Sequence, residues 1–122
     1  MVFYDKHGNP CCYSDDFKHI YGYDGEPLGY IQDGLIWNYN GRYLGQFKNN
    51  WVLDKDGYYL FFTENATGGP IRPIRKIAPI KSVKEIRPLK NIREIPPVHP
   101  VSKLDWSQLD PKIFFRNVEL KL

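Results

Sequence analysis

The chain has 122 residues, 42% of them hydrophobic, 25% charged and 16% aromatic, with a net charge of +3. That composition suits one globular domain. It excludes a membrane-helix protein, because no apolar run approaches the ~20 residues that such a helix needs. The opening "MVFYDKHG" has neither a basic n-region nor an apolar h-region, so a cytoplasmic protein is expected.

Charge divides the chain into unlike pieces. Residues 1–69 carry five basic and nine acidic groups, a net of −4, and sixteen of the nineteen aromatics. Residues 70–122 carry twelve basic and five acidic groups, a net of +7.

The first piece reads as four repeats: "FYDKHGNPCCYSDDFKHI", "YGYDGEPLGYIQDGLI", "WNYNGRYLGQFKNNWV" and "LDKDGYYLFFTENATGG". Gly25, Gly41 and Gly57 are sixteen residues apart, and Gly8 precedes Gly25 by seventeen. His7, Asp24, Asn40 and Asp56 precede these glycines. Asp-Gly and Asn-Gly are hairpin signals, read here as type I′ turns with positive φ at both central residues. "SDDF", "QDGL" and "KNNW" supply weaker turn signals between them. A turn about every eight residues leaves eight short antiparallel strands. They are expected at Val2–Asp5, Asn9–Tyr13, Phe17–Tyr21, Glu26–Ile31, Leu35–Asn38, Arg42–Phe47, Trp51–Leu53 and Tyr58–Phe62. Four hairpins around an axis would leave no open edge. Tyr21, Tyr23, Tyr30, Trp37, Tyr39, Tyr43 and Trp51 are candidates to pack on the sheet, line a cavity or dock a tail.

The adjacent Cys11 and Cys12 are expected to be reduced. A bridge between neighbours strains the backbone, since bridged Cα atoms usually lie ~4.4–6.8 Å apart.

From Ile71 to Leu104 an aliphatic residue stands at every third position. An α-helix would smear this series around all its faces, and a strand would split it between two. Polyproline II, at three residues per turn, puts it on one ridge. Pro70, Pro73, Pro79, Pro88, Pro97 and Pro100 fill the register before each aliphatic. Arg72, Arg75, Lys81, Lys84, Arg87, Lys90 and Arg93 fill the third register. Twelve in-register aliphatics predict a ridge buried against a β domain, of this chain or a neighbour. Tyrosine hydroxyls and indoles would bond the tail's carbonyls. Fully extended, the segment would span roughly 100 Å, so it must bend, near Ser82 or Asn91, or reach another subunit. Beyond it, Trp106 is expected as an anchor, and Val118, Leu120 and Leu122 alternate as in a short strand.

The repeated "YDGEPLGY" and "YNGRYLGQ" hairpins, then "PIRPIRKIAPIK" and "LDWS", resemble the bacterial four-fold beta-flower family up to about Ser107. The resemblance implies an all-β fold: a shallow symmetrical barrel with hairpins as petals, similar in outline to tubby-like barrels. It implies no catalytic residues. Gly8, Gly25, Gly41, Gly57 and the Ile/Arg/Pro triplets match the pattern. Ser82, Glu85, Asn91 and Glu94 interrupt the triplets, and the chain departs from the pattern after Ser107.

The expected organisation is a hairpin-repeat domain at 1–69, a basic extended segment packed on a β domain at 70–104, and a C-terminal anchor and strand at 105–122. His7, His19 and His99 are scattered, so no metal site, cofactor or enzyme chemistry is expected. The leading expectation is a binding or scaffold module for a protein, peptide or small apolar ligand, with homo-oligomerisation open. The alternative is an electrostatic binder of nucleic acid or anionic lipid through the basic register, with Arg72, Arg75, Lys81, Lys84, Arg87, Lys90 and Arg93 as the contact residues.

Overall fold

A computed structural model describes residues 1–116. Eight strands, β1 (Val2–Tyr4), β2 (Pro10–Tyr13), β3 (His19–Tyr21), β4 (Pro27–Gln32), β5 (Leu35–Trp37), β6 (Tyr43–Lys48), β7 (Trp51–Leu53) and β8 (Tyr59–Phe62), pair in chain order. All neighbours are antiparallel, and β1 pairs β8 through Tyr4 and Phe62, closing the barrel. The only helix among the described residues, α1, is the single turn Pro111–Phe114. The expected C-terminal strand at Val118–Leu122 lies outside the described residues.

Strand residues alternate between an apolar interior and a mostly aromatic outer layer. Phe3, Cys12, Ile20, Ile36, Val52 and Phe61 form the interior, and Phe114 and Phe115 join them from the end that holds the hairpin turns. Their neighbours Tyr4 and Phe62 lie in one outer cluster and Tyr30 and Trp37 in another. Gly29 and Gly45 pair with Ile20 and Ile36. A side chain at Gly45 would start 1.9 Å from the Leu53 carbonyl, and one at Gly29 2.4 Å from that of Trp37, so neither position has room for one.

The four repeat turns differ from the type I′ expectation. Among Gly8, Gly25, Gly41, Gly57 and the residues before them, only the glycines have positive φ. Gly8 N–H donates to the Asp5 carbonyl and Asp5 N–H to that of Asn9; the 22–26, 38–42 and 54–58 turns repeat the pattern. This is a three-residue loop: a type I turn followed by a left-handed glycine in a bulge. In three of the four turns the residue before the loop supplies a lock, and in the 22–26 turn Asp24 accepts the Glu26 N–H instead. The Asp5, Asn38 and Asp54 side chains each accept two backbone N–H bonds inside their own turn. The paired positive-φ residues that type I′ requires stand instead at Asp33–Gly34 and Asn49–Asn50, where "QDGL" and "KNNW" close the two-residue loops.

After Gly69 the chain runs around the outside of the barrel. Residues 71–103 carry neither helix nor strand. They visit the four repeat turns in order, because the N–H groups of Lys76, Glu85, Glu94 and Lys103 donate to the carbonyls of Gly8, Gly25, Gly41 and Gly57. Tyr59 pairs with Trp106 in a parallel bridge, which ties the far end of the segment to β8. Ser82 and Asn91 donate N–H bonds to the Tyr23 and Tyr39 carbonyls. The lapses of proline there supply donors, and the curvature is spread around the wall.

Candidate functional site: the outer belt

The belt is built from four nonapeptides, "GGPIRPIRK", "IAPIKSVKE", "IRPLKNIRE" and "IPPVHPVSK". Each nine-residue unit spans one sixteen- or seventeen-residue barrel repeat. The last residue of each donates to a turn glycine. The carbonyl two residues earlier, of Ile74, Val83, Ile92 or Val101, lies against that same glycine, where an added Cβ would stand 2.1–2.8 Å away. Glycine is therefore needed at the turn for its conformation and for the closeness of the belt.

The basic register faces the aromatic wall. Arg72 lies over Trp51, Arg75 over Tyr4, Lys81 over Tyr13, Lys84 over Tyr13 and Tyr21, Lys90 over Tyr30 and Arg93 over Trp37, at 4.5–5.8 Å from the ring centres. Arg87 donates to the Tyr21 hydroxyl at 3.4 Å. These are cation–π placements, in which the ring quadrupole attracts the charge. Carboxylates add to them: Lys81 and Lys84 both hold Asp15 at 2.8 Å, and Arg75 lies 3.7 Å from Glu64. Hydrogen bonds from Lys81 and Lys84 keep the Asp15 carboxyl below its usual pKa range. In the fourth nonapeptide His99 replaces the cation, its ring tilted 35° against that of Tyr43 at 5.8 Å between centres. Tyr23 packs on Tyr13, and Tyr39 on Tyr30. The candidate aromatics thus lie outside the barrel interior, in one layer with the candidate cations.

The aliphatic register does the opposite of what its pattern predicts. Ile71, Ile74, Ile77, Ile80, Val83, Ile86, Leu89, Ile92, Ile95, Val98, Val101 and Leu104 are 77–97% exposed. Cation faces and backbone N–H groups occupy the contact with the wall, so the third register must point away from it. The expected direction of hydrogen bonding also reverses, because tail N–H groups donate to turn carbonyls. The result is a ring of twelve aliphatic side chains around the barrel.

A second feature is a cleft of about 1160 Å³ at the turn end, with Cys12, Leu28, Phe61 and Phe115 among its lining residues and Asp5, Asp24, Asn40 and Arg116 also bordering it. Cys11 and Cys12 line it as free thiols. Burial first, then the Asp5 charge, pushes the Cys11 thiol up to about 12. Burial raises Cys12 as well. Neither is poised as a nucleophile. Among the described residues no three His, Cys, Asp or Glu side chains gather as a metal site, and no helix is long and apolar enough to cross a membrane.

A family model described as the 4-fold beta flower protein matches residues 1–115. The chain belongs to that family. The match includes the barrel, the belt and α1, and so runs past Ser107, where the recognisable motifs stop. No curated protein and no solved structure matches the beta flower chain.

Three features of this beta flower escaped the sequence reading. The nonapeptide period was present in Pro70, Pro79, Pro88 and Pro97, nine residues apart, but the shorter triplet period masked it. Phe114 and Phe115 enter the core, and nothing in "KIFF" alone distinguishes a plug from a strand. Phe17 is 69% exposed at a φ of 60°, which no local pattern announces.

Proposed function

We propose that the protein is a binding module whose contact surface is the aliphatic ring of the belt. The exposure of those twelve side chains carries this reading. Monomeric proteins rarely leave contiguous apolar surface above a few hundred Å² uncovered, and larger patches mark interaction sites. Each fully buried Val, Leu or Ile contributes roughly 1.5–3 kcal/mol, so a partner covering even a few would be held. The electrostatic alternative has less support, because much of the basic register's charge is already directed at rings and carboxylates of the barrel.

The test compares the native protein with a variant carrying Ile71, Ile80, Leu89 and Val98 all changed to Gln. Those side chains are 91–96% exposed, so the melting temperature is expected to stay put. In native cell extract the wild type is expected in a larger assembly, with the variant shifted to the size of the free chain. Identical migration of the two proteins removes the ring as a contact surface.

A further inference from the structure

The turn-end cleft lies apart from the aliphatic ring except at Leu89, which belongs to both. Three of the four hairpin turns border it, and the segment around α1 contributes Lys112, Phe115 and Arg116. At about 1160 Å³ it is ample for a small molecule, since such sites usually measure ~300–1,000 Å³. Its apolar lining comes from the core. Cys12, Phe61 and Phe115 are buried core members, and Leu28 packs against that cluster.

The charged groups of the lining divide by whether they have a partner. The Asp5 carboxylate accepts the His7 and Asn9 N–H groups and the Asn9 side-chain amide, all inside its own turn. Asp24 accepts the Glu26 N–H. Among the described residues, the Glu26, Lys112 and Arg116 side chains take part in no hydrogen bond or ion pair. One free carboxylate therefore shares the cleft with two free cations, whereas Lys81 and Lys84 of the belt are tied to Asp15. The free cations stand on a fixed support. Phe114 and Phe115 are held in the core. The Asp110 side chain accepts the Lys112 N–H at 2.9 Å, and Asn38 donates to the Phe115 carbonyl at 3.3 Å.

We propose that this cleft binds a small anionic amphiphile, a carboxylate on an apolar chain, with the chain against Cys12, Leu28, Phe61 and Phe115 and the carboxylate at Lys112 and Arg116. Burial of the chain supplies affinity, and a few placed polar groups fix its orientation. An uncharged apolar molecule would leave both cations unused. A small inorganic anion would leave the apolar lining in water. An amine would find Glu26 as its free partner and meet two like charges.

The experiment is calorimetric titration of the full chain with hexanoate, octanoate and decanoate, each below its micelle concentration. Binding is expected to tighten about fourfold for each added CH₂. Decanol and decylamine are expected to bind less tightly than decanoate. Lys112→Gln with Arg116→Gln changes two exposed side chains, so the melting temperature should hold. That double variant should lose about tenfold in decanoate affinity, leave decanol unchanged and no longer prefer decanoate to decanol. Leu89→Gln, at a side chain 91% exposed on the cleft, should weaken binding, and Ile71→Gln, at one 94% exposed outside the lining, should not. No binding of decanoate overturns the proposal. So does tighter binding of decylamine, or a preference for decanoate that survives in the double variant. Equal loss in Ile71→Gln and Leu89→Gln would place the ligand on the ring and also overturn it. None of these results decides the ring reading, which the four-Gln variant tests through native assembly size.

Discussion

Gly41 stands at φ 83° with a would-be Cβ 2.1 Å from the Ile92 carbonyl, while Gly68 at φ 69° has nothing within 4 Å of its own. Gly68→Ala therefore meets only the left-handed penalty, about 1 kcal/mol. Gly41→Ala meets that penalty and also pushes the belt off its turn, losing the Glu94 N–H bond to the Gly41 carbonyl. The expectation is a melting temperature several degrees lower for Gly41→Ala than for Gly68→Ala. Equal values would mean that the belt does not touch the turn. The cysteines give a second check at this scale. With Cys11 pushed up to about 12 and Cys12 raised too, almost no thiolate exists at pH 8. Iodoacetamide should label neither thiol until denaturant is added. Rapid labelling of folded protein would show an open or ionised site.

At the scale of elements, the turns and the belt show what local pattern can and cannot convey. Glycine spacing located all eight strands to within two residues, because a hairpin's geometry is written in the few residues that make it. Turn type was less legible. Asp24-Gly25 and Asp33-Gly34 are the same dipeptide, yet one closes a bulged three-residue loop and the other a two-residue loop. Strand pairing decides between them. The aliphatic register was misread for a related reason. A period of three tells which residues share a ridge, but which ridge faces the wall depends on the aromatic layer across from it. Tyr4, Tyr13, Tyr21, Tyr30, Trp37 and Trp51 offer ring faces that suit Lys and Arg. Backbone donors fix the belt's register, and this is testable at Glu85. Glu85→Pro deletes the N–H that bonds the Gly25 carbonyl at 2.9 Å, whereas Glu85→Ala keeps it. A neutral hydrogen bond nets about 0.5–1.5 kcal/mol, and the stranded carbonyl adds to the loss. Glu85→Pro should melt well below Glu85→Ala, and parity would mean that the belt is held by its side chains alone.

For the whole molecule, the belt is a clasp that burial of its own aliphatics does not hold. Six tail N–H groups, on Lys76, Ser82, Glu85, Asn91, Glu94 and Lys103, bond the hairpin turns. Trp106 completes the circuit by packing on Trp51 and Phe62, and Arg72 lies on that same Trp51 where the circuit begins. Start and finish share one anchor, so release of one end does not by itself free the rest. The barrel depends on the belt in return, because residues 1–69 alone would present their tyrosine and tryptophan wall to water. Trypsin provides the test. Arg75, Lys76, Lys81, Lys84, Lys90 and Arg93 are followed by residues other than proline, and only Arg72 and Arg87 are shielded by one. The aliphatics are exposed, but a protease needs a stretch of free backbone, and here a turn carbonyl is engaged every few residues. Cleavage of the intact chain is expected to wait for melting, and a fragment ending at Gly69 is expected to aggregate when expressed alone. Rapid clipping to a stable, soluble core of residues 1–69 would show that the belt is an arm in solution. The ring would then have no fixed shape with which to bind.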